Sequence, residues 1–424
     1  MLTYAHPESL ATTQWVADRL DDPRIRPVEV FWGSSASWGR PAYEASHIPG
    51  AVAWDFQEEL QDQARRDVID TAGLEALLSQ AGIDRDTGIV LYSGLNNLLA
   101  TYAFWLLKIF GHKDVRLLDG DAVITSVRPG SPGEQAGLRP GLVVQRLNGK
   151  TVEQWASEVW RIPPLHERNE RKRVTSRLQE QLYGSLDTAV DLVYLDAHGE
   201  AHEVTIQRAQ RDGRVVLGPE FPPFYVEFES RRLDGDIGYI RFNAFVPPID
   251  QRFPEALESL RGTRGLIIDL RGNHGGVFPV RKGLAEQLVQ ERTLFCSYKG
   301  RDSIQDVYLE PVPNAYSGSL VVLIDVMSAS SAEEFSGALQ AIGRAVVVGE
   351  RSAGICVVAN VMQLPNGVVL MYPTAQTRTA DGTVLEGRGV IPDIAVTLER
   401  SQLLEGIDAQ LEAGINYILT SRSR

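Results

Sequence analysis

The stretch Ser319 to Gln340, SLVVLIDVMSASSAEEFSGALQ, constrains this chain more than any other. Ser319 to Val326 is a short apolar run rich in branched side chains, the pattern of a buried strand. From Ala332 the apolar period becomes helical, with Ala332, Phe335, Ala338, Leu339 and Ile342 on one face. Only the small, hydroxylated residues Met327 to Ser331 separate the two periods, which predicts a strand, a tight turn and a helix with serines at the turn. A hydroxyl placed there sits where the free first amides of a helix converge and where the helix dipole favours negative charge. That setting suits a nucleophile whose attack creates an oxyanion. It also suits something plainer. Ser330 followed three residues later by Glu333 is a capping box, and these residues alone leave both readings open.

The string Ser328-Ala329-Ser330-Ser331-Ala332-Glu333 resembles the nucleophile motif of the C-terminal processing (tail-specific) serine peptidases, a family that includes the tricorn core peptidase. The resemblance implies Ser330 as nucleophile. Upstream, Gly265 to Leu270 reads as a buried strand ending in Arg271-Gly272-Asn273-His274-Gly275-Gly276. Glycines after a strand let backbone approach a ligand and expose amides, although a plain strand-to-helix turn has the same composition. Asp269 to Gly276, DLRGNHGG, is similar to the family's oxyanion loop. The match implies the Gly275 amide as one donor, with Gly276 as the alternative, and the Ser331 amide as the second. Downstream, Asp381 to Asp393 resembles the family's closing signature, and Asp408 to Ala413 its usual tail. These matches imply a ClpP/crotonase-like α/β peptidase domain over residues 216–424, with no metal or organic cofactor.

A serine hydroxyl is a poor nucleophile without a base. In the family's usual form a lysine follows the next strand, and that slot falls here at Ile355, within Gly349 to Ile355. Arg351 nearby stays charged and cannot serve. The tricorn-like branch uses a histidine from a helical segment ahead of a PDZ domain, and a glutamate just before the closing signature. Glu386 fits the glutamate position. No segment of this chain matches the histidine segment. His274, beside the oxyanion loop, is the local substitute, against the alternative that it is a tolerated loop residue.

The first 120 residues alternate strand and helix patterns, which predicts an α/β domain with a mainly parallel sheet. Strands are expected at Arg26–Trp32, Gly88–Tyr92 and Val115–Leu118, with one more following the loop that runs from Tyr43 to Asp55. Helices are expected at Thr12–Leu20, Leu74–Ala81 and Asn97–Phe110. His47-Ile48-Pro49-Gly50-Ala51 and Asp114 to Gly120 resemble two signatures of rhodanese (sulfurtransferase) domains. That chemistry needs a thiolate after the strand Gly88–Tyr92 to carry persulfide sulfur. The chain has Ser93-Gly94-Leu95-Asn96-Asn97 there, and a hydroxyl cannot carry it. The domain is therefore expected to be catalytically dead, with His47 in a structural hydrogen-bonding role.

Residues 121–215 resemble a bacterial PDZ domain: a strand at Ala122–Val127, a Pro-Gly-Ser-Pro turn, Ala136-Gly137-Leu138, then a strand at Gly141–Asn148 closed by Asn148-Gly149. Thr188–Tyr194 and His202–Arg208 read as a closing hairpin. PDZ domains bind a peptide C-terminus by strand addition, but the carboxylate loop here is missing or improvised from Asp119-Gly120. Arg161 to Gln181 is polar and charged, and reads as an excursion with a solvated face.

The net charge of −13 argues against nucleic-acid partners and anionic membrane surfaces. No apolar run reaches membrane-helix length, roughly 18 residues, and the first residues lack the pattern of a signal peptide. Two cysteines, Cys296 and Cys356, make neither a disulfide scaffold nor a zinc pattern. The expectation is a cytoplasmic serine peptidase acting on protein or peptide substrates. The alternatives are a peptide-binding pseudoenzyme and, against the evidence of Ser93, a sulfurtransferase.

Overall fold

Branched apolar residues recur at alternate positions in the short strands of both halves of the chain, and parallel sheets form around them. The computed structural model describes residues 9–12, 15–16, 18–33, 39–45, 47–62, 68–93, 98–119, 122–160, 170–185, 188–209, 213–215 and 224–421. It divides into two compact units: Met1–Ile124 with Leu142–Glu158 and Asp191–Val204, and Thr125–Gly141 with Val159–Val190 and Thr205–Arg424. The segment 121–215 thus contributes to both.

The first unit holds a sheet in the order Leu10–Thr12, Val115–Asp119, Gly88–Tyr92, Ile25–Phe31, Val52–Asp55. Every pairing in it is parallel. Val28, Val30, Ile89 and Leu91 pack with Trp54 and with Leu99, Ala103 and Leu106 of the helix Leu98–Ile109. Of the helix expected over Thr12–Leu20, Trp15 and Val16 are helical, Thr12 closes the strand Leu10–Thr12 beside Val115–Asp119, and residues 18–20 form a turn. Ala11 and Val16 are buried against Val90; residues 13, 14 and 17 lie outside those described.

His47 packs its ring on Tyr43, with centroids 4.2 Å apart, and its Nδ1 lies 2.8 Å from the Tyr43 carbonyl oxygen. Ser93 follows the strand Gly88–Tyr92, and residues 94–97 of the expected persulfide loop lie outside the described residues.

A second sheet runs Ala201–Gln207, Ala189–Leu195, Val143–Leu147, Ala122–Val123, with Lys150–Thr151 folded back on Val143–Leu147. Asn148 and Gly149 both take positive φ, 50° and 76°, as the tight hairpin requires. The strand expected over Ala122–Val127 is shorter than its apolar pattern. The chain leaves the sheet after Ile124, whose amide donates to the Leu142 carbonyl.

In the second unit a six-stranded sheet runs Phe228–Leu233, Ile237–Phe242, Gly265–Asp269, Ser319–Ile324, Val346–Gly349, Ile394–Ala395. The first pair is an antiparallel hairpin and the other pairings are parallel. Gly265–Asp269 is buried at every position, as expected for a strand covered on both faces. Alternation decides which face each side chain serves. Leu266, Ile268, Leu320 and Val322 pack against the helices Ile249–Ser259, Phe278–Glu286 and Ser331–Ala341. Ile267, Val321 and Leu323 pack against the helix Ala409–Thr420. An antiparallel sheet of Ile304–Leu309, Thr293–Lys299, Val369–Thr379 and Val357–Gln363 completes the unit. Among the described residues, no helix is long and apolar enough to cross a membrane.

Candidate active site

The strands Gly265–Asp269 and Ser319–Ile324 lie side by side in parallel, so their C-terminal turns meet. Asp325 organises both. Its Oδ1 accepts from the amides of Gly272 (3.0 Å), Met327 (2.9 Å) and Ser328 (3.0 Å). Burial pushes the Asp325 carboxyl up, and these amide bonds pull the other way. Ser328 Oγ donates to the Leu270 carbonyl at 2.8 Å, and the Ala329 amide donates to that of Asn273 at 3.0 Å.

The helix Ser331–Ala341 then starts at Ser330, which with Glu333 forms a capping box. A cap does not account for its backbone. Ordinary N-cap residues are extended, whereas Ser330 has φ +53° and ψ −119°. Such a conformation costs a non-glycine residue on the order of 1–3 kcal/mol and persists only where its surroundings impose it.

Those surroundings are visible. The Ser330 amide donates both to the Ile355 carbonyl (2.8 Å) and to Glu333 Oε2 (3.0 Å). Glu333 is fully buried and also accepts from Ser352 Oγ (2.6 Å), the Gly354 amide (2.6 Å) and the Ile355 amide (3.0 Å). Burial raises its pKa and the four hydrogen bonds lower it. On the other side lies Gly275, with φ +99°. A Cβ on it would come within 2.7 Å of Ser330 Cβ and 2.9 Å of the Ser331 nitrogen, so only glycine fits.

The expected oxyanion donors gather here. The Gly275 amide already donates to Asn273 Oδ1 at 2.9 Å. Among the described residues the amides of Gly276 and Ser331 have no hydrogen-bond partner, and Ser331 Oγ donates to the Gly276 carbonyl at 2.9 Å. Beneath the turn, Arg281 pairs with the buried Glu334, which also accepts from Tyr298 Oη (3.1 Å) and Thr377 Oγ1 (2.8 Å).

Glu386 and His274 lie on different partners. Glu386 Oε2 accepts from the Cys356 amide at 2.5 Å, next to Ile355 in the segment that holds Ser330. Ile355, in the lysine position, contributes backbone only: its carbonyl takes the Ser330 amide and its amide goes to Glu333. His274 is exposed as a residue, but its Nδ1 is part-buried, 3.2 Å from Nζ of Lys172. Surrounding protein and then the Lys172 ammonium lower the His274 pKa from 6.5 to about 4.

Lys172 was not among the expected site residues. The segment Arg161–Gln181 reads as a solvated face; residues 161–169 lie outside those described, and the structure corrects the reading over 172–179, where 173–179 are half-buried and Lys172, on the helix Glu170–Leu182, is 9% exposed. Its Nζ donates to the Met327 carbonyl at 2.8 Å. Nothing local in the sequence marks it, since Arg171 beside it is exposed.

A mostly parallel sheet covered on both faces thus carries a serine of positive φ at a strand-to-helix turn, facing a glycine loop. Residues 236–396 match the model of peptidase family S41, and residues 12–123 match that of the rhodanese-like domain. The chain carries an S41 peptidase domain joined to an N-terminal rhodanese-like domain.

The sulfur carrier protein TtuD of Thermus thermophilus is 44% identical over 117 residues, which are 28% of this chain and 39% of that protein. The thiosulfate sulfurtransferase of Corynebacterium glutamicum is 38% identical over 117 residues, 28% of this chain and 37% of that one. The chain therefore spans less than half the length of these relatives, and the likeness is confined to the rhodanese-like part. A crystal structure of a CPAF mutant superposes with a TM-score of 0.50 at 14% identity, covering 71% of this chain and 81% of that one, which is a likeness of fold.

Proposed function

We propose that this chain is a serine peptidase that cleaves peptide bonds of protein or peptide substrates, with Ser330 as nucleophile. The observation that carries the reading is the positive φ of Ser330 against Gly275, inside the segment that matches family S41. A structural cap needs no such strain. Attack by Ser330 Oγ would place the substrate oxygen at the turn where, among the described residues, the Gly276 and Ser331 amides lack partners and the helix begins. Gly275, whose amide is held by Asn273, shapes the loop. No metal or organic cofactor enters the proposal. In the same reading the chain comprises modules at 1–120, 121–215 and 216–424, the middle one PDZ-like. Free, buried Cys296 and Cys356 support a reducing, cytoplasmic setting.

A fluorophosphonate probe tests the proposal. The folded wild-type chain is expected to be labelled at Ser330, as located by mass spectrometry, and Ser330→Ala to lose that label entirely. A folded wild type that takes no label overturns the reading. It would favour a peptide-binding pseudoenzyme, for which Ile355 in the lysine position is the supporting observation. Sulfur transfer has no support, because Ser93 stands where a thiolate is needed.

A further inference from the structure

The site as described has a nucleophile and amide donors but no base. His274 is poorly placed for that task. An N–H of Lys172, which the amine and the ammonium can both supply, directed at Nδ1 places the proton of the neutral ring on Nε2. Nδ1 is then occupied and Nε2 is a donor, which leaves no lone pair for a serine proton. Glu386 is committed to a backbone amide, and Arg281 cannot release a proton. Lys172 is different in kind.

Lys172 reaches both turns of the site at once. Met327, whose carbonyl holds Nζ, lies three residues ahead of Ser330 in the turn after Ser319–Ile324. His274 immediately precedes Gly275, against which Ser330 Cβ is packed. Among the described residues no carboxylate forms an ion pair with Lys172; Asp325 and Glu333 act on it only at longer range. The neighbouring Arg171 is engaged by Glu350 at 2.7 Å. A buried ammonium with one carbonyl and one imidazole for company is destabilised relative to the free amine. Burial accordingly lowers its pKa, with Asp325 and then Glu333 opposing. A lysine meant only to brace two loops would do so better with a carboxylate partner.

We propose that Lys172 is the general base for Ser330, supplied by the helix Glu170–Leu182 in place of the lysine absent at Ile355. The assignment rests on the peptidase reading above. As the free amine, Nζ takes the proton of Ser330 Oγ while Oγ bonds to the carbonyl carbon of the scissile peptide. The C=O π pair moves onto the oxygen, facing the Gly276 and Ser331 amides. When that pair returns, the C–N bond breaks and the Lys172 ammonium gives its proton to the departing nitrogen. This leaves an ester on Ser330 and the free amine on Lys172. Water then attacks the ester, losing one proton to Nζ, and the ammonium returns it to Ser330 Oγ as the C–O bond breaks. No oxidant, reductant or co-reactant other than water is required. The Met327 carbonyl keeps Nζ anchored in both protonation states, and His274 closes its outer side.

The test is the rate of fluorophosphonate labelling at Ser330 between about pH 5 and about pH 10, in wild type, Lys172→Met, Lys172→Arg and His274→Gln. Wild type is expected to follow an amine titration with its midpoint below the ordinary lysine range. Lys172→Met and Lys172→Arg are both expected to lose about 100-fold or more in rate with thermal midpoints near wild type. Lys172→Arg is the decisive variant, because guanidinium keeps the charge and can donate to the Met327 carbonyl but cannot take up a proton. His274→Gln, which removes the imidazole beside Nζ, is expected to slow labelling less than Lys172→Arg and to keep the amine inflection.

Labelling of Lys172→Arg at the wild-type rate would overturn the assignment and leave Lys172 a brace. Loss in His274→Gln with retention in Lys172→Arg would hand the proton to His274. Either result leaves the serine-peptidase reading standing, whereas an unlabelled, folded wild type removes both. Should the lysine variants not fold, the wild-type profile decides, and a profile without an amine inflection below the ordinary range sinks the proposal.

Discussion

His274 shows how one side chain reports its neighbours. Its folded pKa is about 4 against an ordinary 6.5, so between those values the unfolded chain binds a proton there and the folded chain does not. Stability attributable to this residue is complete above pH 6.5 and falls as pH drops towards 4. Urea unfolding at a series of pH values should show that slope in wild type, shallow because the ring is partly solvated. His274→Gln should lack it; an identical slope in the variant would assign the effect to another group.

At this scale the sequence is uneven evidence. The turn at Ser330 and Ser331 and the glycine packed against it are legible because the patterns that mark them lie within a few residues of each. Lys172 is not, because its partners lie 102 and 155 residues distant and its own neighbours are charged.

The helix Ser331–Ala341 depends on the closing segment near Glu386. Gly337 faces it so closely that a Cβ would lie 3.0 Å from Val390 Cγ2 and 3.2 Å from Leu385 Cδ2. Both partners are buried, and so are Phe335 and Leu339 on the same helix. Gly337→Val is expected to overpack this contact, lowering stability by about 1–3 kcal/mol and shifting the start of the helix enough to slow labelling of Ser330. Thermal unfolding together with labelling kinetics checks it, and wild-type values for both would show the contact to be loose.

Elements of this kind were readable from sequence wherever one period persisted. Gly265–Asp269 and Ser319–Ile324 are continuous apolar runs, and their strands end within two residues of the expected limits. The strands Thr293–Lys299 and Ile304–Leu309 carry mixed, partly exposed residues and give no such signal. Leu10–Thr12 became a strand only because a sheet edge was there to accept it.

In the molecule as a whole, two units each keep a core of their own, one around Val28, Ile89 and Leu106 and one around Ile268, Val322 and Phe335. The N-terminal part matches the rhodanese-like model, with Ser93 at the position where that chemistry needs a thiolate. The left-handed backbone at Ser330 has a converse effect on global stability. Glycine adopts that conformation freely, and Ser330→Gly should relieve strain while losing a few tenths of a kcal/mol of capping and some unfolded-state entropy. The expected net gain is about 1 kcal/mol, visible as a raised melting temperature; an unchanged or lower one would mean that the turn is not strained. A laboratory evolution campaign that selected variants only for heat resistance would therefore favour glycine at position 330, and its winners would be sturdier proteins without the hydroxyl on which the proposed chemistry depends.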